Sequence, residues 1–275
     1  MSRLPAPERV AESSAGVSQA SLWQRVLGGL LAWLAGWWRV LYLGAQIMVL
    51  AASPSSYSPA NRLLLARHLV LATAPILLWF TLLCALATLV ITRIVVVTAL
   101  SYGLSQYALQ LIIRVLVLEL IPLGAALFVA LRSTIASSAE LAEMSLRGEL
   151  ASMPDPLRQE AMPRALAGVF ASVTLAALSC VVALVLPYLA VYGFTVSALP
   201  AYTRLFGQVF NPAVTLIFVL KTLFFSLAVA LMPIASALYD EAPAGMRHGA
   251  ELRALARMFV VILLIEMVSL VGNYY

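Results

Sequence analysis

Five long apolar stretches, separated by more polar segments, dominate the pattern of the chain. The stretches are continuous rather than alternating, which argues against the strands of a membrane β-barrel. Each is about as long as a helix that crosses a bilayer, and helices satisfy their own backbone hydrogen bonds in lipid. We therefore predict an all-α polytopic membrane protein whose five transmembrane helices cover Leu69–Ile94, Leu109–Ala136, Ala165–Tyr192, Pro212–Leu238 and Met258–Tyr275.

Residues 21–53 form a further apolar stretch of a different character. Four of the five tryptophans of the chain lie in it, and Arg39 falls near its middle. Tryptophan and arginine favour the headgroup region over the hydrocarbon centre. We therefore predict an N-terminal interfacial (elbow) helix, amphipathic and lying in the plane of the membrane surface; a sixth span is the alternative. Residues 1–20 are polar, and we predict a disordered tail.

The composition supports a membrane location, since 63% of the residues are hydrophobic and 11% are charged, against about a quarter charged in soluble domains. The arginines are unevenly placed. If the N-terminus is cytoplasmic, twelve of them flank the cytoplasmic side and two, Arg93 and Arg204, lie outside. Because cytoplasmic loops are enriched in lysine and arginine, we predict a cytoplasmic N-terminus and a C-terminus on the opposite side.

Signatures of catalysis are missing from the sequence. There is no G-x-x-x-x-G-K-[ST] phosphate loop, and Lys221 is the only lysine. The two histidines, His68 and His248, lie beside different spans, which argues against a zinc site or a histidine relay. There is no G-x-S-x-G elbow either. We therefore expect no enzyme, no catalytic residues, no metal, no cofactor held by this chain and no nucleic-acid partner.

Ionisable residues inside the predicted spans need a reason, because each costs roughly 2.5–3.5 kcal/mol at the bilayer centre. At about 1.5 Å per residue, Glu119, Lys221 and Glu266 lie about 13–15 Å from the outer ends of their spans. We expect one shared layer in which Lys221 pairs with Glu266 or Glu119. Arg114 lies nearer the outer surface and, about 140° around an α-helix from Glu119, on another face. These four residues are candidates for a substrate cavity that receives a charged headgroup; helix attachment alone is the competing interpretation.

A charged segment, 140–164, interrupts the apolar pattern on the predicted cytoplasmic side. Each proline in "MPDP" disfavours helical geometry in the residue before it, so we predict a short helix over Ser145–Ser152 and a third span that begins after Pro163. The mixed signs suit a protein docking surface better than attraction to anionic lipid. A solvated loop is the alternative. The candidate docking residues are Glu140, Glu143, Arg147, Glu149, Asp155 and Arg158.

The order of four short motifs carries a resemblance to a known family. The motifs are "ELIP" (Glu119–Pro122), "ALRSTIASSAELAEM" (Ala130–Met144), "DPLR" (Asp155–Arg158) and "PRALAG" (Pro163–Gly168). Together with the lysine-bearing fourth span and Glu266 in the last span, they resemble the MlaE/YrbE permeases over about residues 60–275. The chain departs from the family pattern at Leu118, Leu131 and Thr134, and between Met144 and Asp155, where the docking segment is several residues shorter.

The resemblance implies an MlaE-type permease fold and a homodimer that encloses a phospholipid cavity. It also implies a cytoplasmic ABC ATPase that binds segment 140–164 and carries ATP and Mg²⁺, and an MCE-domain protein on the periplasmic side. The protein would lie in the inner membrane of a diderm bacterium and move phospholipids to or from the outer membrane. Two other functions compete with this one: an ion-coupled secondary transporter that uses the same buried charges, and a non-transporting membrane scaffold.

Overall fold

The described part of the chain is helical throughout. A computed structural model describes residues 35–239 and 247–274, and within those ranges it contains helices and turns but no β-strand. Five helices there are long and apolar enough to cross a membrane: Asn61–Ser101, Tyr107–Leu146, Leu157–Tyr192, Pro212–Tyr239 and Leu252–Asn273. The predicted all-α fold with five spans is confirmed. The predicted tail, 1–20, and the first part of the predicted interfacial helix lie outside the described residues.

The described helices are numbered in chain order, and α3 and α5 include π-helical stretches. They are α1 (35–52), α2 (Pro59–Ser101), α3 (105–146), α4 (Glu149–Ser152), α5 (Leu157–Tyr192), α6 (Leu199–Val209), α7 (Pro212–Tyr239) and α8 (Arg247–Tyr274). The chain divides into two units, Met1–Ala45 and Gln46–Tyr275, and the second carries all five spans. The membrane-plane orientation of α1 stays a prediction.

The charged segment folds differently from the prediction at both of its ends. The helix of the second span continues to Leu146 and is ended by Gly148, whose φ of 73° is in the left-handed region that favours glycine. The short helix that follows is therefore Glu149–Ser152, not Ser145–Ser152. The predicted start of the third span after Pro163 is also wrong, since α5 begins at Leu157. Pro163 is therefore the seventh residue of α5, two residues after the π-helical stretch Leu157–Ala161. Membrane helices tolerate such a proline because neighbouring groups and local changes of helix geometry satisfy the freed carbonyl.

Helix α5 lies at the centre of the bundle and packs against α2, α3 and α7. Its buried face consists largely of small residues, which let helices approach closely in a membrane. Gly168 lies at a tight crossing of three helices. A β-carbon there would lie 2.9 Å from Thr134 Cγ2 of α3 and 3.2 Å from Ala230 Cβ of α7. Helix α8 packs against α7, which brings the last span beside the fourth.

Candidate functional site

Lys221 of α7 is the centre of a buried charge cluster. Its side chain is 1% exposed, and its ammonium forms ion pairs with Glu119 of α3 and, at 2.8 Å, with Glu266 Oε2 of α8. The ammonium also lies 5.7 Å from the centre of the Phe225 ring, one helical turn further along α7. Both glutamates are largely buried, with side chains 12% and 14% exposed. The predicted pairing of Lys221 thus occurs with both carboxylates at once.

The part of α3 that carries Glu119 is not an ordinary α-helix. Two π-helical stretches, Ile113–Leu120 and Ala130–Thr134, enclose the α-helical segment Ile121–Val129. Such stretches are rare and often occur at functional sites. Glu119 lies at the end of the first stretch, so the backbone at the charge cluster departs from regular helical geometry.

Pro122 explains why the cluster forms at this point of α3. A proline has no N–H, so it cannot donate to the carbonyl of Leu118 at α-helical spacing or of Val117 at π-helical spacing. These two carbonyls accept hydrogen bonds from neighbouring helices instead. Lys221 Nζ donates to Leu118 O at 3.2 Å, and Cys180 Sγ makes a weak contact with Val117 O at 4.0 Å. Pro122 therefore leaves the carbonyl of Leu118 without its α-helical donor directly before Glu119, and both this carbonyl and the carboxylate of Glu119 bind Lys221.

Asn273 completes the cluster and was missed by the sequence analysis. Its Nδ2 donates to Glu119 Oε1 at 3.2 Å, while the other carboxylate oxygen of Glu119 binds Lys221. Asn273 follows Glu266 by seven residues, which is two helical turns, so the two side chains lie on one face of α8. That spacing was readable in the sequence. The amide oxygen of Asn273 and Glu266 Oε2 are both buried without a hydrogen-bond partner among the described residues, although Glu266 Oε2 is ion-paired.

The predicted separation of Arg114 from Glu119 does not hold. The 140° separation assumed an α-helix, whereas both residues lie in the π-helical stretch Ile113–Leu120. In π-helical geometry residue i is hydrogen-bonded to residue i+5, so five residues are about one turn and the two positions lie near each other around the axis. Arg114 is half-buried. The structure thus brings Glu119, Lys221 and Glu266 into contact and places Arg114 one turn along the same helix.

The charged segment has an exposed edge at the junction of α3 and α4. Arg147 pairs with Glu143, one turn earlier, and more loosely with Glu149 at 3.8 Å. All three side chains are exposed, as is Leu146 between them, which is 59% exposed. An accessible leucine surrounded by charges of both signs has the character of a protein docking surface: an apolar centre with a polar rim. We call Glu143, Leu146, Arg147 and Glu149 the docking edge.

Other charges of the segment face the bundle and hold it together. Arg164 has a side chain 7% exposed, and it pairs with Glu160 and, at 3.8 Å, with Glu140. Since Glu140 is on α3 and Arg164 on α5, this contact joins the ends of two spans on the side of segment 140–164. The pair of Arg164 with Glu160 is buried on both sides, with side chains 7% and 16% exposed, and removing one partner of a buried pair is strongly destabilising. Arg164 and Glu160 were not among the predicted site residues, because the sequence does not show which charges point inward.

Asp155 and Arg158 also make internal contacts. Asp155 Oδ1 accepts a hydrogen bond from the backbone N–H of Arg158 at 3.2 Å, in the manner of an N-cap at the start of α5. The guanidinium of Arg158 donates to Ser55 and Ser56, more than a hundred residues earlier. Of the six predicted docking residues, three thus lie on the docking edge and two, Asp155 and Arg158, make internal contacts. The sixth, Glu140, is 70% exposed and also pairs with the buried Arg164.

Comparison with known protein families identifies the relatives of the chain. The family model described as "Permease MlaE" matches residues 65–271. The chain belongs to the MlaE permease family. A comparison with curated proteins found no match.

Membership in the MlaE permease family makes the chain a multi-pass membrane protein and the permease subunit of an ABC transporter, a transport component rather than an enzyme. The matched residues include both sites: the carboxylates and lysine of the buried cluster and the whole of segment 140–164. Asn273 and the serines that bind Arg158 lie outside the match. Those parts of the two sites are therefore known from the contacts of this MlaE permease rather than from the family comparison.

Proposed function

We propose that this MlaE permease moves phospholipids between the inner membrane of a diderm bacterium and an MCE-domain carrier on the periplasmic side. The observation that carries the proposal is the buried cluster of Lys221 with Glu119 and Glu266, which three different spans build. A phospholipid headgroup is itself charged, and a cluster of both signs offers it partners for a phosphate and for an amine. The same site would be expensive to maintain in lipid without such a use.

The energy source in this proposal is a separate ABC ATPase that carries ATP and Mg²⁺ and binds the docking edge on the cytoplasmic side. Two features of the chain support it: the sequence has no phosphate loop of its own, and the docking edge combines an exposed leucine with charges of both signs. Because α3 and α5 adjoin the segment directly, movement of a bound ATPase would act on two spans at once.

The proposed topology follows from the distribution of arginines: a cytoplasmic N-terminus and a periplasmic C-terminus. In that orientation the docking edge faces the cytoplasm, where ATP is found, and the buried cluster lies in the outer half of the membrane, near the carrier. Two copies would form a homodimer around the lipid. The half-buried Arg114, one turn from Glu119, would lie at the outer end of the same cavity.

The decisive experiment uses the full chain, tagged and purified with its partners from native membranes, then reconstituted in vesicles with a fluorescent phosphatidylethanolamine. Chemical quenching reports which leaflet holds the lipid. We expect the accessible fraction to change with ATP and Mg²⁺ and not with a non-hydrolysable analogue. Absence of any nucleotide-dependent change, in a preparation shown to be folded, would overturn the proposal and favour a scaffold.

The second candidate is an ion-coupled transporter, and the two carboxylates around one lysine favour it, because such a group can hold an additional proton. The same vesicles separate the two candidates. An imposed proton gradient would drive lipid movement in the ion-coupled case, and a proton ionophore would abolish it. In the ATP-driven case an ionophore has no effect.

A further inference from the structure

Arg158 makes a set of contacts that no docking role requires. Its Nη2 donates to Ser55 Oγ at 2.6 Å and to Ser56 Oγ at 3.2 Å, and its Nε donates to Ser56 Oγ at 3.2 Å. Ser55 and Ser56 belong to the turn Pro54–Ser56, which lies between α1 and α2. A residue at the start of the third span thus binds the turn that precedes the first span.

The turn that Arg158 binds is itself well ordered by hydrogen bonds. Ser56 is 2% exposed, and its carbonyl accepts a hydrogen bond from Asn61 Nδ2 of α2 at 3.1 Å. The Tyr57 hydroxyl donates to Ala51 O at the end of α1 at 2.7 Å. The turn is therefore fastened to the helices before and after it, so displacement of Ser56 would displace the first turn of α2.

The guanidinium is oriented from its own side as well. Asp155 Oδ1 binds the backbone N–H of Arg158 and fixes the first turn of α5. Among the described residues Arg158 has no ion-pair partner within 4.0 Å. Its planar fork, with several donors in fixed directions, is used to hold two neutral hydroxyls in place.

We propose that Arg158 is a positioning residue that links segment 140–164 to the turn Pro54–Ser56, so that a movement imposed at the docking edge reaches α2 as well as α3 and α5. The inference rests on the proposed function, since it assumes an ATPase at the docking edge. The chain alone connects the segment to the second and third spans. The Arg158 contacts add a direct polar link to the turn before the first span, beside the packing of α2 against α5.

The test compares variants of the full-length permease in its purified complex: Arg158→Ala, the double variant Ser55→Ala/Ser56→Ala, and all three changes together. Two quantities are measured, the amount of ATPase bound per permease and the lipid moved per ATP hydrolysed. We expect the bound ATPase to stay at the wild-type level and the lipid moved per ATP to fall about tenfold in each variant. The triple variant should be no worse than Arg158→Ala, because all three changes remove the same contacts.

Two results would overturn the inference. If Arg158→Ala moves as much lipid per ATP as the wild type, the contacts transmit nothing. If it loses the ATPase, Arg158 is a docking residue. Arg158→Lys keeps the charge but not the planar fork, so we expect it to move more lipid per ATP than Arg158→Ala and less than the wild type. Ser55→Ala removes a single exposed contact and serves if the larger changes prevent folding. We expect this single change to lower the lipid moved per ATP by itself.

Failure of the proposed function would look different. In that case the wild-type complex itself would bind no ATPase or move no lipid. The melting temperature of the purified chain can then test whether Arg158 and the two serines stabilise the fold together. We expect the decrease for the triple variant to be clearly smaller than the sum of the decreases for Arg158→Ala and for Ser55→Ala/Ser56→Ala. Additive decreases would show that the residues do not act together and would overturn the link itself.

Discussion

The β-carbon that an alanine at Gly168 would carry lies 2.9 Å from Cγ2 of Thr134, across the crossing of α5 and α3. Real β-carbons do not come so close, and on the other side Ala230 leaves no room to move away. The glycine of "PRALAG" is thus required by the packing of three spans, not by backbone conformation.

Gly168→Ala should therefore destabilise the protein by about 1–3 kcal/mol, the usual cost of overpacking a tight interior. Thr134 is β-branched and stiff, so it cannot turn aside cheaply. The measurement is the thermal midpoint of the purified full chain in detergent. Gly207→Ala is the matched control, since a β-carbon there meets nothing within 4 Å.

The second variant that checks this explanation is Gly168→Ala/Thr134→Ser, which removes the clashing methyl group. It should recover a good part of the lost stability. A double variant as unstable as Gly168→Ala alone would place the clash elsewhere, most directly at Ala230.

Lys221→Met should be strongly destabilising, by about 3–5 kcal/mol, because it leaves Glu119 and Glu266 as buried charges without a counter-ion. The triple variant Lys221→Met/Glu119→Gln/Glu266→Gln removes all three charges and should regain most of the stability. We expect it to fold, keep the ATPase and move no lipid in the vesicle assay.

That triple variant decides between the two interpretations of the cluster. Helix attachment alone predicts that a folded, uncharged cluster transports normally. Lipid movement at the wild-type rate would therefore remove the headgroup site from the mechanism, while the five-span fold would stand unchanged.

The docking edge makes a separate prediction at Leu146. Leu146→Ala should reduce the affinity for the ATPase tenfold or more, or about 1.4 kcal/mol, since truncating an apolar centre with a charged rim removes most of what such a surface contributes. Leu252→Ala is the control, because Leu252 is exposed to a similar degree, 65% against 59%, but lies on α8. Equal ATPase binding by both variants would mean that the partner contacts another surface.

Tyr202 of α6, between the third and fourth spans, provides a pH-dependent prediction. Its hydroxyl donates to Leu184 O at 2.7 Å and its ring packs on Tyr188. Burial, and to a lesser degree the nearby Tyr192, raises the pKa of Tyr202 from 10.0 to about 12. Between these values the unfolded chain has released the proton and the folded protein has not, so stability falls as the pH rises.

The wild-type melting temperature should therefore decrease more steeply from pH 10 to pH 12 than that of Tyr202→Phe, which has no proton to lose. Tyr107→Phe serves as the control, because Tyr107 is 54% exposed. Parallel pH profiles for wild type and Tyr202→Phe would show that folding does not raise the pKa of this hydroxyl.

The sequence predicts the spans and the charge pairing well, because both depend on local quantities. Apolar run length determines which segments cross the membrane, and depth along each span places Lys221 beside two glutamates. The π-helical stretches are harder to foresee, since the same residues form an α-helix in other surroundings. Pro122 follows Glu119 by three residues, but Pro75, Pro187 and Pro233 lie inside spans that stay α-helical around them, so a proline alone does not predict such a stretch.

The remaining gaps concern partners that are far apart in the chain. Nothing around Arg158 indicates that it binds Ser55 and Ser56, and nothing around Arg164 indicates that it is buried. A charged segment in a sequence looks uniformly solvated, whereas folding divides it into an outer edge and an inner set of contacts. Asn273 was only partly predictable: its distance of seven residues from Glu266 places both side chains on one face of α8, but the sequence does not show that this face meets Glu119.

That Lys221 is the only lysine of the sequence has a practical consequence. It supplies the only side-chain amine in 275 residues, and 2% of its surface is exposed. An acylating reagent therefore has one lysine to modify, and it can do so only when the surrounding helices separate. The yield of that single adduct, followed by mass spectrometry through a reaction cycle, would measure how often the permease opens.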